Sequence, residues 1–311
     1  MMTGLMGVSG LVVGAAPNYE TYMIGRALIG VVVGGFWSMS AAVAMRLVPL
    51  HEVPKALAIF NGGNALATVV AAPLGSYLGA IVGWRGTFFC LVPVALIALA
   101  WQWISLPSMK VDRRAAGSSN VFKLFRNPLV TLGMLAVGTF FMGQFALFTY
   151  VRPFLETVTQ VDVPTLSMML LVLGIAGFVG TTMIGALLKR GMYRTLVVIP
   201  LLMAAIALAL IAFGASVAVV FVLLGLWGLV ATAAPVGWWS WLAKALPKDA
   251  EAGGGLMVAM IQLCIALGST LGGMLFDGSG YQSTFGTSAA LLVAAAILAS
   301  LTGRAEPLRS A

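Results

Sequence analysis

The chain has 311 residues, of which 61% are hydrophobic and only 8% are charged; its mean hydropathy is +1.05 and its formal net charge is +8. A soluble domain carries about 25% charged residues, so this composition excludes a soluble enzyme, a disordered chain and a nucleic-acid-binding protein with a basic face. The apolar runs are continuous and longer than the roughly ten alternating residues of a transmembrane barrel strand. The composition therefore predicts an all-α integral membrane protein that lies in a lipid bilayer.

Ten apolar runs of helical length follow one another along the chain. A bilayer core requires roughly 20 apolar residues per helix, and charges, prolines or glycine clusters mark where each run ends. The first run is short for a span. The predicted transmembrane helices are Met2–Ala15, Thr21–Met45, Ala56–Val82, Gly86–Leu106, Leu129–Tyr150, Leu166–Leu188, Thr195–Phe213, Val217–Ala243, Ala252–Phe276 and Thr284–Leu301.

The basic residues predict the orientation of these helices. One set of alternate connecting segments holds nearly all of the 17 Lys and Arg residues, whereas the other set holds only Arg85 and Arg152. Cytoplasmic segments of membrane proteins carry an excess of Lys and Arg. We therefore expect both termini to be cytoplasmic.

The longest polar segment, 107–127, combines charged residues with a Gly-Ser-Ser stretch and reads as a cytoplasmic linker. It divides the chain into an N-terminal bundle of four helices (1–106) and a C-terminal bundle of six helices (128–302), and a cytoplasmic tail (303–311) follows.

The two bundles resemble each other in sequence. Leu74–Gly79 matches Leu267–Gly272, and two further segments match in the same order and at similar separations. With this spacing, the partner of the fifth predicted helix would precede Met1. We therefore expect a pattern of two six-helix repeats from which the first two helices are absent.

Several motifs resemble those of the major facilitator superfamily. Arg26–Gly30 followed by Gly34 is similar to the Arg-and-glycine motif of that superfamily's fourth helix, and Ala72–Gly75 with Gly79 is similar to the Gly-Pro motif of its fifth helix, which is typical of exporters and antiporters. Ala72 stands where that motif usually has glycine. The resemblance implies two pseudo-symmetric helix bundles. It also implies a conformational and packing role for Gly30, Gly34, Pro73, Gly75, Gly79, Gly268 and Gly272.

Further segments resemble the purine-ribonucleoside efflux permeases of the drug:proton antiporter branch. They are Gly34–Ser40, Met45–Pro49, Gly143–Ala146, Phe148–Pro153 and Pro235–Trp238. This resemblance implies a secondary transporter of a bacterial-type inner membrane that acts as a monomer. It would exchange purine ribonucleosides or similar small planar molecules for protons by alternating access. A broad drug or sugar efflux permease and an inactive truncated paralogue remain alternatives.

Polar and aromatic residues inside the predicted helices mark a candidate substrate cavity. Arg26 is the one charge well inside a run, and no acidic residue lies deep in any of the ten. A buried charge in lipid is costly and therefore often functional, although a structural arginine is the competing interpretation. The remaining candidates can equally serve as helix-to-helix hydrogen-bonding or packing residues. They are Trp37, Asn61, Asn64, Gln144, Phe148, Trp238 and Gln262.

No pattern predicts a metal, a cofactor or an enzyme active site. Cys90 and Cys264 lie in apolar runs, and His51 has no Cys or His at ligand spacing. A glycine-rich phosphate loop followed by Lys and Ser or Thr is absent from the sequence. An integral-membrane enzyme would need a deep acid–base residue, so we expect a transporter whose energy comes from an ion gradient.

Overall fold

Helices make up nearly all of the described chain, because in lipid each backbone polar group must be satisfied within its own segment. The computed structural model describes residues 1–48, 53–106, 121–246 and 250–305. The side chains at 38–46, 53–62, 65, 68–69, 72, 121–122 and 250–251 are not described. Most of the predicted linker (107–120), the end of the predicted tail (306–311) and His51 lie outside these residues.

The helices occur in the order that the apolar runs predict. They are α1 (Met2–Gly14), α2 (Tyr19–Leu47), α3 (Val53–Ser105), α4 (Pro128–Phe148), α5 (Val151–Phe154), α6 (Val163–Phe213), α7 (Val217–Ala231), α8 (Ala234–Ala245), α9 (Ala250–Ser279) and α10 (Tyr281–Ala305). A 3₁₀ turn at Val121–Arg126 precedes α4, and a π-helical turn at Leu155–Thr159 follows α5.

The helices form two compact units. One consists of Met1–Leu57 and Leu74–Ser119, and the other of Ala58–Pro73 and Asn120–Ala311. The bundle boundaries at 1–106 and 128–302 remain a prediction, because the units divide the chain at other points.

Within the described residues, six helices are long and apolar enough to cross a bilayer. They are Pro73–Ser105, Pro128–Thr159, Val163–Phe213, Val217–Ala245, Ala252–Ser279 and Tyr281–Ala305. At 13 residues, α1 is shorter than a span. The predicted number of ten spans therefore stays a prediction.

Two pairs of predicted spans are joined end to end, with a glycine at each junction. Gly83 interrupts α3 with φ 73° and ψ 169°, a left-handed conformation that a residue with a Cβ adopts only with strain. Gly191 interrupts the 51-residue α6 with extended backbone. At each junction, one predicted helix is followed by the next with few or no loop residues between them.

The eighth predicted span, Val217–Ala243, corresponds to one apolar span, Val217–Ala245, whose hydrogen-bonded helix is interrupted near its middle. The chain leaves α7 at Ala231, turns at Thr232 and Ala233, and starts α8 at Ala234 with Pro235 in its first turn. Proline lacks the N–H that would continue the helical ladder, and its ring clashes with the carbonyl four residues earlier. The proline is tolerated in the first turn of a new helix, where that N–H has no helical partner.

In the first unit, α1 packs closely on α2 and on the second part of α3. A Cβ at Gly25 would press on Val13, and the Ser9 hydroxyl donates to the Gly25 carbonyl at 2.6 Å. The Thr3 hydroxyl donates to Gln102 Oε1 at 2.7 Å. Small residues let the helix backbones approach, and hydrogen bonds then join them.

The core of the second unit is aromatic. Trp227, Trp241, Phe140, Phe154 and Phe285 are all fully buried there. Phe154 lies 4.9 Å from Phe285 between ring centroids, so the short α5 is anchored to α10. This core joins α4 with the five helices α6, α7, α8, α9 and α10.

Glycines bring α6 and α7 into backbone contact. A Cβ at Gly180 would overlap the carbonyl oxygen of Leu229, and a Cβ at Gly228 would overlap that of Leu173. The Thr181 hydroxyl also donates to the Thr232 carbonyl at 3.2 Å. Because the obstructing atoms belong to the backbone, no change of rotamer can make room for a side chain.

We expect Gly180→Ala to lower the free energy of unfolding by about 1–3 kcal/mol, the usual cost of overpacking. Gly185→Ala is the matched control, because the same substitution in the same helix meets no atom within 4 Å among the described residues. Alanine there should be neutral or stabilising by up to about 1 kcal/mol through helix propensity. Thermal unfolding of the two variants in detergent compares them, and equal effects would contradict the close approach.

Asp162 caps the N-terminus of α6 between two membrane-spanning helices. Its carboxylate accepts the Thr165 backbone N–H at 3.1 Å. Hydrogen bonds from the Thr165 side chain and backbone lower the pKa of Asp162 below its ordinary 3.8. The ionised carboxylate thus stabilises the fold above that ordinary pKa, and this contribution is lost as the pH falls through the lowered pKa.

We expect Asp162→Ala to lower the melting temperature more at pH 7 than at pH 3. Asn18 caps α2 in the same manner, accepting the Thr21 N–H at 2.9 Å, but it carries no titratable charge. The effect of Asn18→Ala should therefore be the same at both pH values. Melting curves of the two variants against the parent test this, and a deficit of Asp162→Ala that is equal or larger at pH 3 contradicts it.

Candidate functional site

The candidate residues of the first unit lie along α2. Arg26 is exposed, and the described part of the chain offers it no ion-pair partner. Trp37 is half-buried, whereas Gly30 and Gly34 face open space, since a Cβ at either would meet no described atom within 4 Å. A cation thus projects from a helix beside two positions where the backbone is uncovered.

The asparagine pair of α3 is only partly described. Asn64 is exposed, and the side chain of Asn61 lies outside the described residues. Farther along α3, Pro73 is half-buried. A Cβ at Gly75 would meet no described atom within 4 Å, and a Cβ at Gly79 would just reach Thr87 at 4.0 Å.

Gln144 is the polar centre of α4. Its Oε1 atom is buried and accepts no hydrogen bond from the described residues. Next to it, Gly143 packs on Leu292 of α10, and its carbonyl accepts the Ser288 hydroxyl at 2.6 Å. Burying a carbonyl oxygen without a donor costs about 1–3 kcal/mol. This atom is therefore the clearest candidate in the second unit for receiving a donor from a ligand.

Phe148 lies one helical turn beyond Gln144 on the same face of α4. It is half-buried and packs edge-to-face on Phe145 with 5.9 Å between ring centroids. Gln144 and Phe148 together offer an amide oxygen and part of an aromatic ring.

Gln262 is half-buried on α9, the helix that packs beside α4. The contact is close, since a Cβ at Gly138 would lie 2.9 Å from Cys264 Sγ, and one at Gly268 would overlap the Met142 carbonyl. No described hydrogen bond links Gln262 to Gln144 Oε1. The structure thus brings the helices of the two glutamines together without pairing their side chains.

The structure places Trp238 in the interior of the second unit. It is 2% exposed in the core of the second unit and packs edge-to-face on Trp241 at 5.9 Å. A large apolar ring is well suited to packing in such a core. The assignment of Trp238 to a substrate cavity stays a prediction.

A polar seam between α4 and α9 was not predicted. The Tyr150 hydroxyl donates to the Ser269 carbonyl at 2.9 Å, and the Thr149 and Ser269 hydroxyls lie 2.8 Å apart. Gly272 lies against Ala146, and its carbonyl accepts the buried Thr284 hydroxyl at 3.0 Å. The repeat placed glycines here, but only the fold shows that they expose carbonyls to hydroxyl donors.

The described residues contain no group of three or more His, Cys, Asp or Glu side chains that could hold a metal ion. Within this described part of the chain, an ion pair joins Arg152 Nε to Glu156 Oε1 at 2.8 Å, with both side chains about half exposed. Such a pair, one helical turn apart at the surface, stabilises the turn weakly.

Comparison with known proteins identifies the fold and the family. The Major Facilitator Superfamily model matches residues 1–254. The human organic anion transporter MFSD10 (TETRAN) superimposes with a TM-score of 0.67 at 20% identity, covering 96% of this chain and 75% of that one. At this identity the likeness shows the fold alone.

Relatives with two different names are similar to this protein over most of its chain. The Pseudomonas aeruginosa protein named Transcription regulatory protein OpdE is 64% identical over 308 residues, which are 98% of this chain and 77% of the relative. The Purine ribonucleoside efflux pump NepI of Salmonella paratyphi B is 40% identical over 304 residues, covering 98% and 76%. The chain belongs to the Major Facilitator Superfamily, and it is a multi-pass membrane transporter of small molecules rather than an enzyme.

Proposed function

We propose that the protein exports purine ribonucleosides, or similar small planar molecules, across a bacterial inner membrane in exchange for protons. The observation that carries the proposal is the 40% identity, over 98% of the chain, to relatives named purine ribonucleoside efflux pumps. At the residue level, Gln144 Oε1 supports it: this atom is buried and has no hydrogen-bond donor among the described residues, whereas nucleobases and ribose both offer N–H or O–H donors.

The transport cycle is alternating access, in which a substrate site opens to one side of the membrane and then to the other. Gln144 orients the substrate through a hydrogen bond, and Phe148 supplies apolar contact beside it. Gln262, Trp37, Asn64 and Asn61 are further polar or aromatic candidates for the substrate path. Gly30, Gly34, Pro73, Gly75, Gly79, Gly268 and Gly272 belong to the segments that move or pack during the cycle.

Arg26 is the proposed electrostatic element of proton coupling. An exposed guanidinium without an ionic partner among the described residues favours a carboxylate, a substrate anion or hydration nearby. In this proposal the guanidinium acts on the proton affinity of other groups instead of carrying the proton. The chain acts as a monomer with both termini in the cytoplasm.

The test is transport by the purified chain in proteoliposomes. With an imposed pH gradient, we expect radiolabelled adenosine, inosine or guanosine to accumulate above the level of empty liposomes. A protonophore should abolish the accumulation, and Arg26→Gln should reduce it while leaving the folded yield unchanged. Accumulation of none of the three nucleosides, in vesicles with folded protein, contradicts the proposal.

A role in transcription is the second candidate, because the 64% identical relative is named a transcription regulatory protein. With 8% charged residues and six apolar spans among its described residues, the chain is suited to act on transcription through the concentration of a transported molecule. Expression profiling of a deletion strain separates the two ideas. Changes that added substrate reproduces indicate transport, whereas changes that a transport-dead variant still complements indicate a separate regulatory activity.

A further inference from the structure

An open cleft of about 530 Å³ lies at one end of the first unit. Its walls are the turn between α1 and α2, the start of α2, and the part of α3 that follows the Gly83 break. The lining residues are Ala16, Pro17, Asn18, Tyr19, Tyr22, Trp84, Arg85 and Phe88. Arg85 is the one charged residue among them, so the cleft suits an anionic group.

Arg85 is held in a fixed position at the cleft. Its Nη2 donates to the Ala16 carbonyl at 2.9 Å, and its guanidinium carbon lies 5.0 Å from the Trp84 ring centroid. Tyr22 supports the indole edge-to-face at 5.9 Å. An arginine has five N–H donors, and the described residues use one of them. A preorganised guanidinium with donors to spare is suited to bidentate binding of phosphate.

The position of the cleft points to lipid. The end of α1, the start of α2 and the α3 break lie together, as the bond from Arg85 to Ala16 requires. Ends of membrane helices lie at headgroup depth, where Trp and Tyr are enriched. Only 6% of the most apolar 18-residue stretch of Pro73–Ser105 is buried. The helix that carries Arg85 therefore also offers an uncovered apolar length.

We propose that this cleft is a binding site for the phosphate of an anionic phospholipid. Arg85 binds the phosphodiester oxygens, the hydroxyls of Tyr19 and Tyr22 bind the polar headgroup, and the acyl chains lie along the uncovered surface of α3. One copy of the chain is sufficient to form the site, and none of the candidate transport residues takes part in it.

Native mass spectrometry of the delipidated protein with added phosphatidylglycerol tests the proposal. We expect Arg85→Gln to weaken retention of this lipid about tenfold or more, the scale of a lost charge-assisted hydrogen bond. Phosphatidylcholine carries the same phosphodiester, but its choline ammonium offsets the phosphate charge and its headgroup has no hydroxyl for the tyrosines. It should therefore bind weakly to both proteins. Arg152→Gln is the matched control, because it removes an exposed arginine outside the cleft, and its effect should stay within about twofold.

Two further variants keep the test decisive if Arg85→Gln does not fold. Arg85→Lys retains the charge without the planar guanidinium, and Trp84→Leu removes the ring that positions Arg85. Both variants should weaken retention of the lipid. Arg85→Lys should weaken it less than Arg85→Gln does. Equal loss in the Arg85 and Arg152 variants would overturn the proposal.

A phosphatidylglycerol with a photoreactive headgroup locates the site. Crosslinks should fall on the peptides that contain residues 16–22 or 84–88, and Arg85→Gln should abolish them. Crosslinks elsewhere would overturn the assignment. Protection by millimolar glycerol 3-phosphate as complete as by the intact lipid would also overturn it, since the ligand would then be a free anion.

Discussion

Trp238→Ala is expected to lower the free energy of unfolding by about 3–5 kcal/mol, the usual cost of truncating a buried tryptophan. The side chain is 2% exposed and packs on Trp241, which is itself fully buried. Its removal leaves a cavity among helices whose spacing is fixed by other contacts, so neighbouring side chains fill it only in part. Thermal unfolding in detergent and the folded fraction in size-exclusion chromatography measure the loss.

Trp103→Ala is the control, because the same substitution removes a side chain that is 83% exposed. Its melting temperature should match the parent within about a degree, since an exposed indole loses few contacts. Transport per folded molecule of Trp238→Ala should stay near the parental rate. If Trp238→Ala instead melts normally but loses transport of all nucleosides, the tryptophan contacts substrate and its assignment to the packing core is wrong.

The aromatic face of the predicted eighth span shows what a sequence pattern can and cannot establish. Its spacing predicts that Trp227, Trp238 and Trp241 share one side of the helix, and all three are buried in the same core. The pattern does not say what this side faces, because a ring suits a packed core and a ligand cavity equally. Only the packing of α6 and α9 around α7 and α8 decides between them.

Backbone breaks were partly predictable. Gly83 follows an apolar run and precedes Trp84, and the sequence placed a boundary between helices there; the structure turns the chain at that glycine with positive φ. The eighth predicted span is interrupted at Thr232 and Ala233, directly before the turn that contains Pro235. A proline inside a run interrupts the hydrogen-bond ladder whatever the hydropathy.

The α6–α7 contact was missed although a signal was present. Gly177 and Gly180 are three residues apart and thus lie near each other on one helix face, and Gly228 is their counterpart on α7. Small residues at such spacing favour close approach of membrane helices. Glycine is frequent throughout this chain, with 37 copies, so the spacing alone does not distinguish these glycines from Gly185, where a Cβ would meet no described atom within 4 Å.

Gln144→Leu is expected to reduce nucleoside export per folded molecule about tenfold while leaving the protein as stable as the parent or more so. Leucine keeps most of the volume but removes the buried oxygen, to which none of the described residues donates. Replacing an unpaired buried carbonyl by an apolar group removes a penalty of about 1–3 kcal/mol from the folded state. The substrate loses its acceptor, so a function that depends on this bond declines while stability does not.

Gln102→Leu provides the opposite case. Gln102 Oε1 already accepts the Thr3 hydroxyl within the fold at 2.7 Å. Its loss leaves that hydroxyl without its partner and should lower the melting temperature, but it should leave the relative rates for adenosine, inosine and guanosine unchanged. Transport in proteoliposomes, divided by the folded protein measured in each preparation, compares the two variants. If Gln144→Leu exports all three nucleosides at the parental rate, the amide is a packing group, and the nucleoside proposal depends on sequence similarity alone.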